Sequence, residues 1–295
     1  MKTDFYSLKV EPMVSSSYPT HDRFRNDLEP CLVVVTVEGL ERVDWETRPE
    51  KACWILLLPE VIFMNGSQYH HQVGFRWEHD NGTWSYEDCP IRYLYGAWHG
   101  AEGALRLGSF SEDERPVIGR QAASIYTDDL GAHYTVRAKN TSDEVWRDVY
   151  FGVCFNHYQV PMTGYRPHFR FGDRWVPFQE IPGVTPACYF PTQARFGEYQ
   201  RTIVSKPETE AEEPLSFPGV VGWNLTAANG PLLVCHCSKD AVSVGANQMS
   251  PCTDLQLWFG DMEPGEEVSR TGHILIAQSD LAAFAERADE ILAQL

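Results

Sequence analysis

Along most of the chain, apolar and polar residues alternate over short stretches bounded by glycine, proline, asparagine and aspartate. Period-two alternation is the mark of a half-buried strand, and those turn residues mark its ends. Residues 31–37 are a β-branched run, and residues 54–64 are a longer apolar run broken by Pro59. Residues 73–79 and 83–86 flank Asn81-Gly82, which predicts a hairpin with a type I′ turn, positive φ being needed at both central positions. Gly172-Asp173, between residues 169–171 and 174–178, predicts a second hairpin. Asn229-Gly230, between residues 220–226 and 232–238, predicts a third. Residues 255–259 and 273–277 are joined by residues 262–266, where Pro264 and Gly265 suit positions i+1 and i+2 of a type II turn.

Helical spacing is clear in one place, residues 279–295. There Leu281, Phe284, Ala285, Ala288, Ile291, Leu292 and Leu295 form one apolar stripe behind Ser279 as N-cap. A terminal helix with one such stripe is expected to dock onto a sheet. Strands without interleaved helices argue against a parallel α/β sheet. No linker or internal repeat divides the chain, and the acidic stretch 206–214 reads as a solvated loop. The expectation is one all-β domain over residues 1–295, a large antiparallel β-sandwich with a C-terminal helix.

Charge narrows the partners. With 24 basic and 41 acidic residues the formal net charge is -17, which disfavours nucleic acid and anionic membranes, since both need clustered Lys and Arg. No apolar run approaches the roughly 20 residues that span a bilayer. The eight cysteines have no apolar leader before them, and Cys31, Cys53, Cys154 and Cys235 sit in strand-like runs where the thiol packs as a small hydrophobe. This reads as a reduced, cytoplasmic protein. The sequence leaves the oligomeric state open.

Candidate chemistry gathers at the end of the strand that runs to His157. Val149, Phe151, Val153, Phe155 and His157 share one face by alternation, while Asn156 and Tyr158 point the other way, beside Cys154. Histidine suits proton transfer near neutrality. The next segment carries Arg166, His168 and Arg170, a small basic cluster able to clamp carboxylates or hydroxyls. Residues 177–199 hold Tyr189, Phe190, Arg195 and Phe196 among prolines, and read as a lid or pocket wall. Residues 247–258 read as an irregular polar segment ahead of a strand, able to bring Asn247 and Asp254 to the rim, with Trp258 beyond. No metal or cofactor is expected. His70-His71, His79 and His99 lack the His-x-His pair of a cupin centre, and Cys235-His236-Cys237 lacks a second ligand pair and reads as inert strand cysteines.

The stretch 136–161, VRAKNTSDEVWRDVYFGVCFNHYQVP, resembles the "V-x-N-x-s-d … H-x-Y" segment of the galactose mutarotase-like (aldose epimerase) superfamily, and the late Pro264-Gly265-Glu266 turn is similar too. The resemblance implies a mutarotase-like supersandwich acting on a small-molecule carbohydrate, with His157 as acid. It also implies a late glutamate as base, but residues 243–260 hold only Asp254 as an acid. The functional expectation is a carbohydrate-active protein working on a sugar or sugar acid by acid/base chemistry. His157 and Asp254 would be catalytic; Asn156, Tyr158, Arg166, His168, Arg170, Tyr189 and Trp258 would bind substrate. The alternative is a non-catalytic carbohydrate-binding or accessory module.

Overall fold

The computed structural model describes residues 6–12, 31–37, 51–69, 77–92, 117–159, 164–184, 187–193, 213–227, 230–248 and 251–295. They form two antiparallel sheets and a terminal helix. In chain order the strands are β1 (Tyr6–Pro12), β2 (Cys31–Val37), β3 (Lys51–Met64), β4 (Ser67–Tyr69), β5 (Trp77–Glu78), β6 (Trp84–Arg92), β7 (Val117–Thr127), β8 (Gly131–Asn140), β9 (Trp146–Gln159), β10 (Tyr165–Phe171), β11 (Arg174–Pro177), β12 (Ala187–Pro191), β13 (Gly219–Ala227), β14 (Gly230–Cys237), β15 (Ala241–Asn247), β16 (Cys252–Met262) and β17 (Glu267–Ala277). The first sheet runs β1-β2-β3-β9-β16-β15-β12, with β4 added to β3, and the second runs β11-β10-β13-β14-β17-β8-β7-β6-β5. The molecule is an all-β antiparallel sandwich with a C-terminal helix.

Alternate residues of each sheet meet in one apolar layer. Phe151, Val153 and Phe155 of β9 and Leu255, Leu257 and Phe259 of β16 face Tyr134, Val136, Trp223 and Ile274 of the second sheet. Trp54 stacks on Phe155 at 5.6 Å and meets the edge of Trp223 at 5.6 Å. Several polar groups cross this layer: the Tyr86 hydroxyl donates to the Leu58 carbonyl at 2.7 Å and the Tyr165 hydroxyl to the Cys252 carbonyl at 2.8 Å, and His236 bridges the sheets. His236 Nδ1 lies 3.3 Å from both the carbonyl and the hydroxyl of Thr253. Its Nε2 is hydrogen-bonded to the Tyr134 hydroxyl at 2.8 Å.

The expected hairpins form, with instructive differences at the turns. Gly82 has φ 78°, but Asn81 does not take positive φ, and Gly82 N donates to the His79 carbonyl at 2.8 Å. The Asn81-Gly82 loop is therefore a turn followed by a left-handed glycine, not type I′; the Asn81 side chain stabilises it by accepting from Thr83 N at 3.1 Å. Phe171 pairs with Arg174 across Gly172-Asp173, and Ala227 pairs with Gly230, so Gly230 belongs to the strand. Residues 187–191, expected in a loop, form edge strand β12 on β15, where Pro191 is tolerated. His70, His71, His99, Arg195, Phe196 and most of the acidic stretch lie outside the described residues.

The connection at 263–266, expected to join neighbouring strands, is an arch between the sheets, as is the one between β8 and β9. β8 and β17 lie in the second sheet, β9 and β16 in the first. In the 263–266 arch, Glu266 N donates to the Glu263 carbonyl at 3.0 Å and Gly265 has φ 83°, the geometry a type II turn requires at i+2. The neighbouring arch is anchored by the fully buried Asn140. Its Nδ2 donates to the Met262 carbonyl at 3.0 Å and to the Glu144 carbonyl at 2.8 Å; its Oδ1 accepts from Ser142 N at 3.0 Å.

The helix α1 (Leu281–Gln294) packs Phe284 and Ala288 on the outer face of the second sheet, against Phe217, Leu233, Cys235 and Cys237. Its N-cap is Asp280, not Ser279: Asp280 Oδ1 accepts from Ala283 N at 2.8 Å, which a residue one position earlier does not reach.

Candidate functional site

Strand register builds a polar strip on the face of the first sheet that points away from the core. Tyr189 pairs with Gly245, Gly245 with Asp254, Asp254 with Cys154, and Cys154 with Leu57. Directly paired residues share a face, so these five form one row across the sheet. On one side of it lies the row Asn247, Cys252, Asn156 and Ile55; on the other lies Ser243, Gln256, Gly152 and Val61. Asp254 is only 7% exposed and Gln256 6%. A buried sheet face that carries a carboxylate, two thiols, amides and a phenol is not a second apolar core.

Each group is positioned by local structure. Gly245 lets the Tyr189 ring lie flat on the sheet, because a Cβ there would meet the ring at 2.6 Å. Between Leu57 and Val61 the register of β3 against β9 shifts, so residues 58–60 oppose Val153 alone. Such a bulge re-aims side chains, and here Glu60 joins the cluster: part of the residue stays exposed, but its carboxyl is packed among protein atoms. Cys252 Sγ donates to Asp254 Oδ2 at 3.3 Å, and the Cys154 thiol is in turn bonded to Cys252. Asp254 Oδ1 has no hydrogen-bond partner among the described residues.

Electrostatics follow from burial. Desolvation raises the Asp254 carboxyl to about 6, although both thiols and the Tyr189 hydroxyl favour its charge. Desolvation, then the charge of Asp254, raises Glu60 to about 8. The hydrogen bond to Cys252 and burial hold the Cys154 thiol protonated. Near neutrality the strip therefore holds one carboxyl that keeps its proton beside one that can lose it. Paired acids pushed apart in this way are the usual basis of acid/base chemistry. Cys154, Cys252 and Asp254 also have the donor atoms to hold a metal ion.

The residues singled out from sequence divide between two surfaces. Asn156, Tyr189 and Asp254 come together on the polar strip. Asp254 lies within β16, which begins at Cys252, so the expected irregular segment is already strand. Trp258 shares the face of Asp254 but stands four residues along, about 13 Å at strand rise. Arg166, His168 and Arg170 lie on β10 of the second sheet, alternating with the buried Tyr165, Phe169 and Phe171. They are thus turned to the outer face of that sheet rather than towards Asp254. His168 Nδ1 donates to the Arg166 carbonyl at 2.6 Å, and burial lowers its pKa. Arg170 pairs with Asp289 of α1 at 2.6 Å. Position 157 pairs with Trp54 in the β3–β9 register, while the side chains of His157 and Tyr158 lie outside the described residues. Glu60, Cys154 and Cys252 were missed as site residues. A lone acid inside the apolar run 54–64 was the available signal for Glu60.

In sequence the chain matches no family model and no curated protein. Solved structures do resemble it. The chain is similar to galactose mutarotase-like proteins. One from Lactobacillus casei is 7% identical, covers 91% of this chain and 100% of its own, and has a TM-score of 0.38. A galactose mutarotase related enzyme from Lactobacillus acidophilus is 13% identical over 87% of this chain and 97% of its own, with a TM-score of 0.36. A galactose mutarotase-like protein from Clostridium acetobutylicum is 11% identical over 92% and 99%, with a TM-score of 0.34. Identities and scores of this size do not transfer chemistry, so the function is argued from the strip itself.

Proposed function

We propose that the chain is a carbohydrate-active enzyme that binds a sugar or sugar acid on the outer face of the first sheet and moves a proton there. Asp254 is the base. What supports this reading is one observation: a buried carboxylate with an unpartnered oxygen, set in a row beside a flat tyrosine ring and amide side chains. Hydroxyl groups of a sugar match such a set of donors and acceptors, and its apolar face matches an aromatic ring. Glu60, within the strip, can serve as proton donor; position 157 pairs with Trp54 and so belongs to the opposite face of β9 from Asn156.

The test is a thermal-shift screen of the purified protein against neutral sugars and sugar acids, because a ligand of the native state raises apparent stability by mass action. The sugar that shifts the melt is then followed for turnover by NMR. We expect Tyr189→Ala to lose the shift, and Asp254→Asn to keep the shift but lose turnover. Glu60→Gln should lose turnover as well, while His157→Gln, at a position on the opposite face of β9, should keep it. A shift with no turnover in the unmodified protein overturns the enzyme reading in favour of a binding module. No shift with any sugar overturns the carbohydrate reading.

A further inference from the structure

The two thiols of the strip come from strands far apart in the chain, yet they meet. Cys154 lies on β9 and Cys252 on β16; Asp254 is paired with Cys154 and stands two residues from Cys252 on the same face. One Sγ of each cysteine and one carboxylate oxygen all lie within 4.8 Å of one another, and all three residues are buried. Neither cysteine is in a disulfide.

Those distances suit one small cation. Zinc binds thiolate at about 2.3 Å and carboxylate oxygen at about 2.0–2.2 Å, so tetrahedral ligands stand roughly 3.5–3.8 Å apart. Cys252 Sγ and Asp254 Oδ2 are at 3.3 Å, and the third donor lies within 4.8 Å of both. A second observation points the same way. Asp254 Oδ1 is buried without a hydrogen-bond partner among the described residues. Leaving such an oxygen unpaired is costly, and a cation against the carboxylate removes the cost.

We propose that Cys154, Cys252 and Asp254 form a binding site for one thiophilic divalent cation, zinc being the fitting chemistry. Two sulfurs select a borderline-soft ion over magnesium or calcium, which take oxygen. Binding replaces two S–H bonds by two metal–sulfur bonds and releases two protons to solvent. Three protein ligands leave a fourth position for water or another oxygen donor. This site does not depend on the sugar reading. The two share Asp254, however, so a bound cation withdraws that carboxylate from proton transfer, and the metal acts as a brake on the strip.

The test uses the reduced, metal-stripped full chain and Co²⁺ alone, with no sugar present. Thiolate-bound tetrahedral cobalt gives a sulfur-to-metal charge-transfer band and intense visible bands. We expect both to saturate at one Co²⁺ per chain and to vanish when Zn²⁺ is added. Cys154→Ser and Cys252→Ser should each weaken the charge-transfer band, and together they should abolish it. Cys235→Ser with Cys237→Ser, the competing same-face pair on β14, should leave it intact. As an independent reading, Zn²⁺ should raise the melting temperature of the unmodified protein but not of Asp254→Asn. Absence of the band in folded protein, or a band that survives loss of Cys154 and Cys252, overturns the site.

Discussion

The amide of Asn140 donates to the carbonyl of Met262 at 3.0 Å, tying the arch after β8 to the arch after β16. The same side chain donates to Glu144 and accepts from Ser142, so one buried residue joins these two crossings. Asn140→Ala should destabilise the protein by about 3 kcal/mol, through several lost hydrogen bonds and carbonyls left unpaired. Urea denaturation at neutral pH measures this; a change within about 0.5 kcal/mol would show that the arches hold without it.

Acid should unfold the protein through its buried histidines. Burial lowers His236 to about 3, and burial with the nearby His133 lowers His273 to about 4. Unfolded histidine titrates near 6.5, so below that pH the unfolded chain takes protons that the native state refuses. Their contribution to stability is full above pH 6.5 and falls as pH drops toward about 4 and then about 3. The urea midpoint should decline from pH 6.5 to 4, and more shallowly in His236→Gln if that variant folds. An identical slope in His236→Gln would refute the assignment.

Alkali acts through the polar strip with the opposite sign. Folded Glu60 titrates near 8 and Asp254 near 6, both above their unfolded values, so the native state holds protons that the unfolded chain releases. That contribution is full below about pH 4 and is lost as pH rises through 6 and then 8. Glu60→Gln should therefore gain stability relative to the unmodified protein between pH 6 and 9, and little at pH 5. A pH-independent difference between the two proteins would rule out a proton held on Glu60.

Gly245 makes the Tyr189 position possible. Gly245→Ala drives a methyl group into the tyrosine ring. Overpacking of this kind costs about 1–3 kcal/mol. Because the ring beside Asp254 must move, any sugar-dependent thermal shift should fall with it, while Gly172→Ala, at a hairpin tip with open space, should leave the shift unchanged. Equal shifts in both variants would detach Tyr189 from the site.

Much of this architecture is legible in the sequence. The alternation over 149–158 correctly separates Phe151, Val153 and Phe155 from Cys154 and Asn156. The Pro264-Gly265 turn is of the expected type, and the terminal helix docks as its stripe predicts. What the sequence conceals is partnership across distance. Nothing in local spacing says that the 263–266 turn leaves one sheet for the other, or that Arg166 and Arg170 face away from Asp254. The encounter of Cys154 with Cys252 likewise depends on how β9 and β16 align. Cysteine in an apolar strand reads as filler until the register shows what lies diagonally opposite.

β9 and β16 have a double duty that bears on how the strip responds to mutation. Phe155 and Leu255 stand on one side of these strands, Cys154 and Asp254 on the other, and only a single thickness of backbone separates them. The strip thus has no scaffold of its own to loosen or tune. Its spacing is inherited from the aromatic layer behind it, so repacking Trp54, Phe155 or Trp223 would shift the strip without changing any of its own residues.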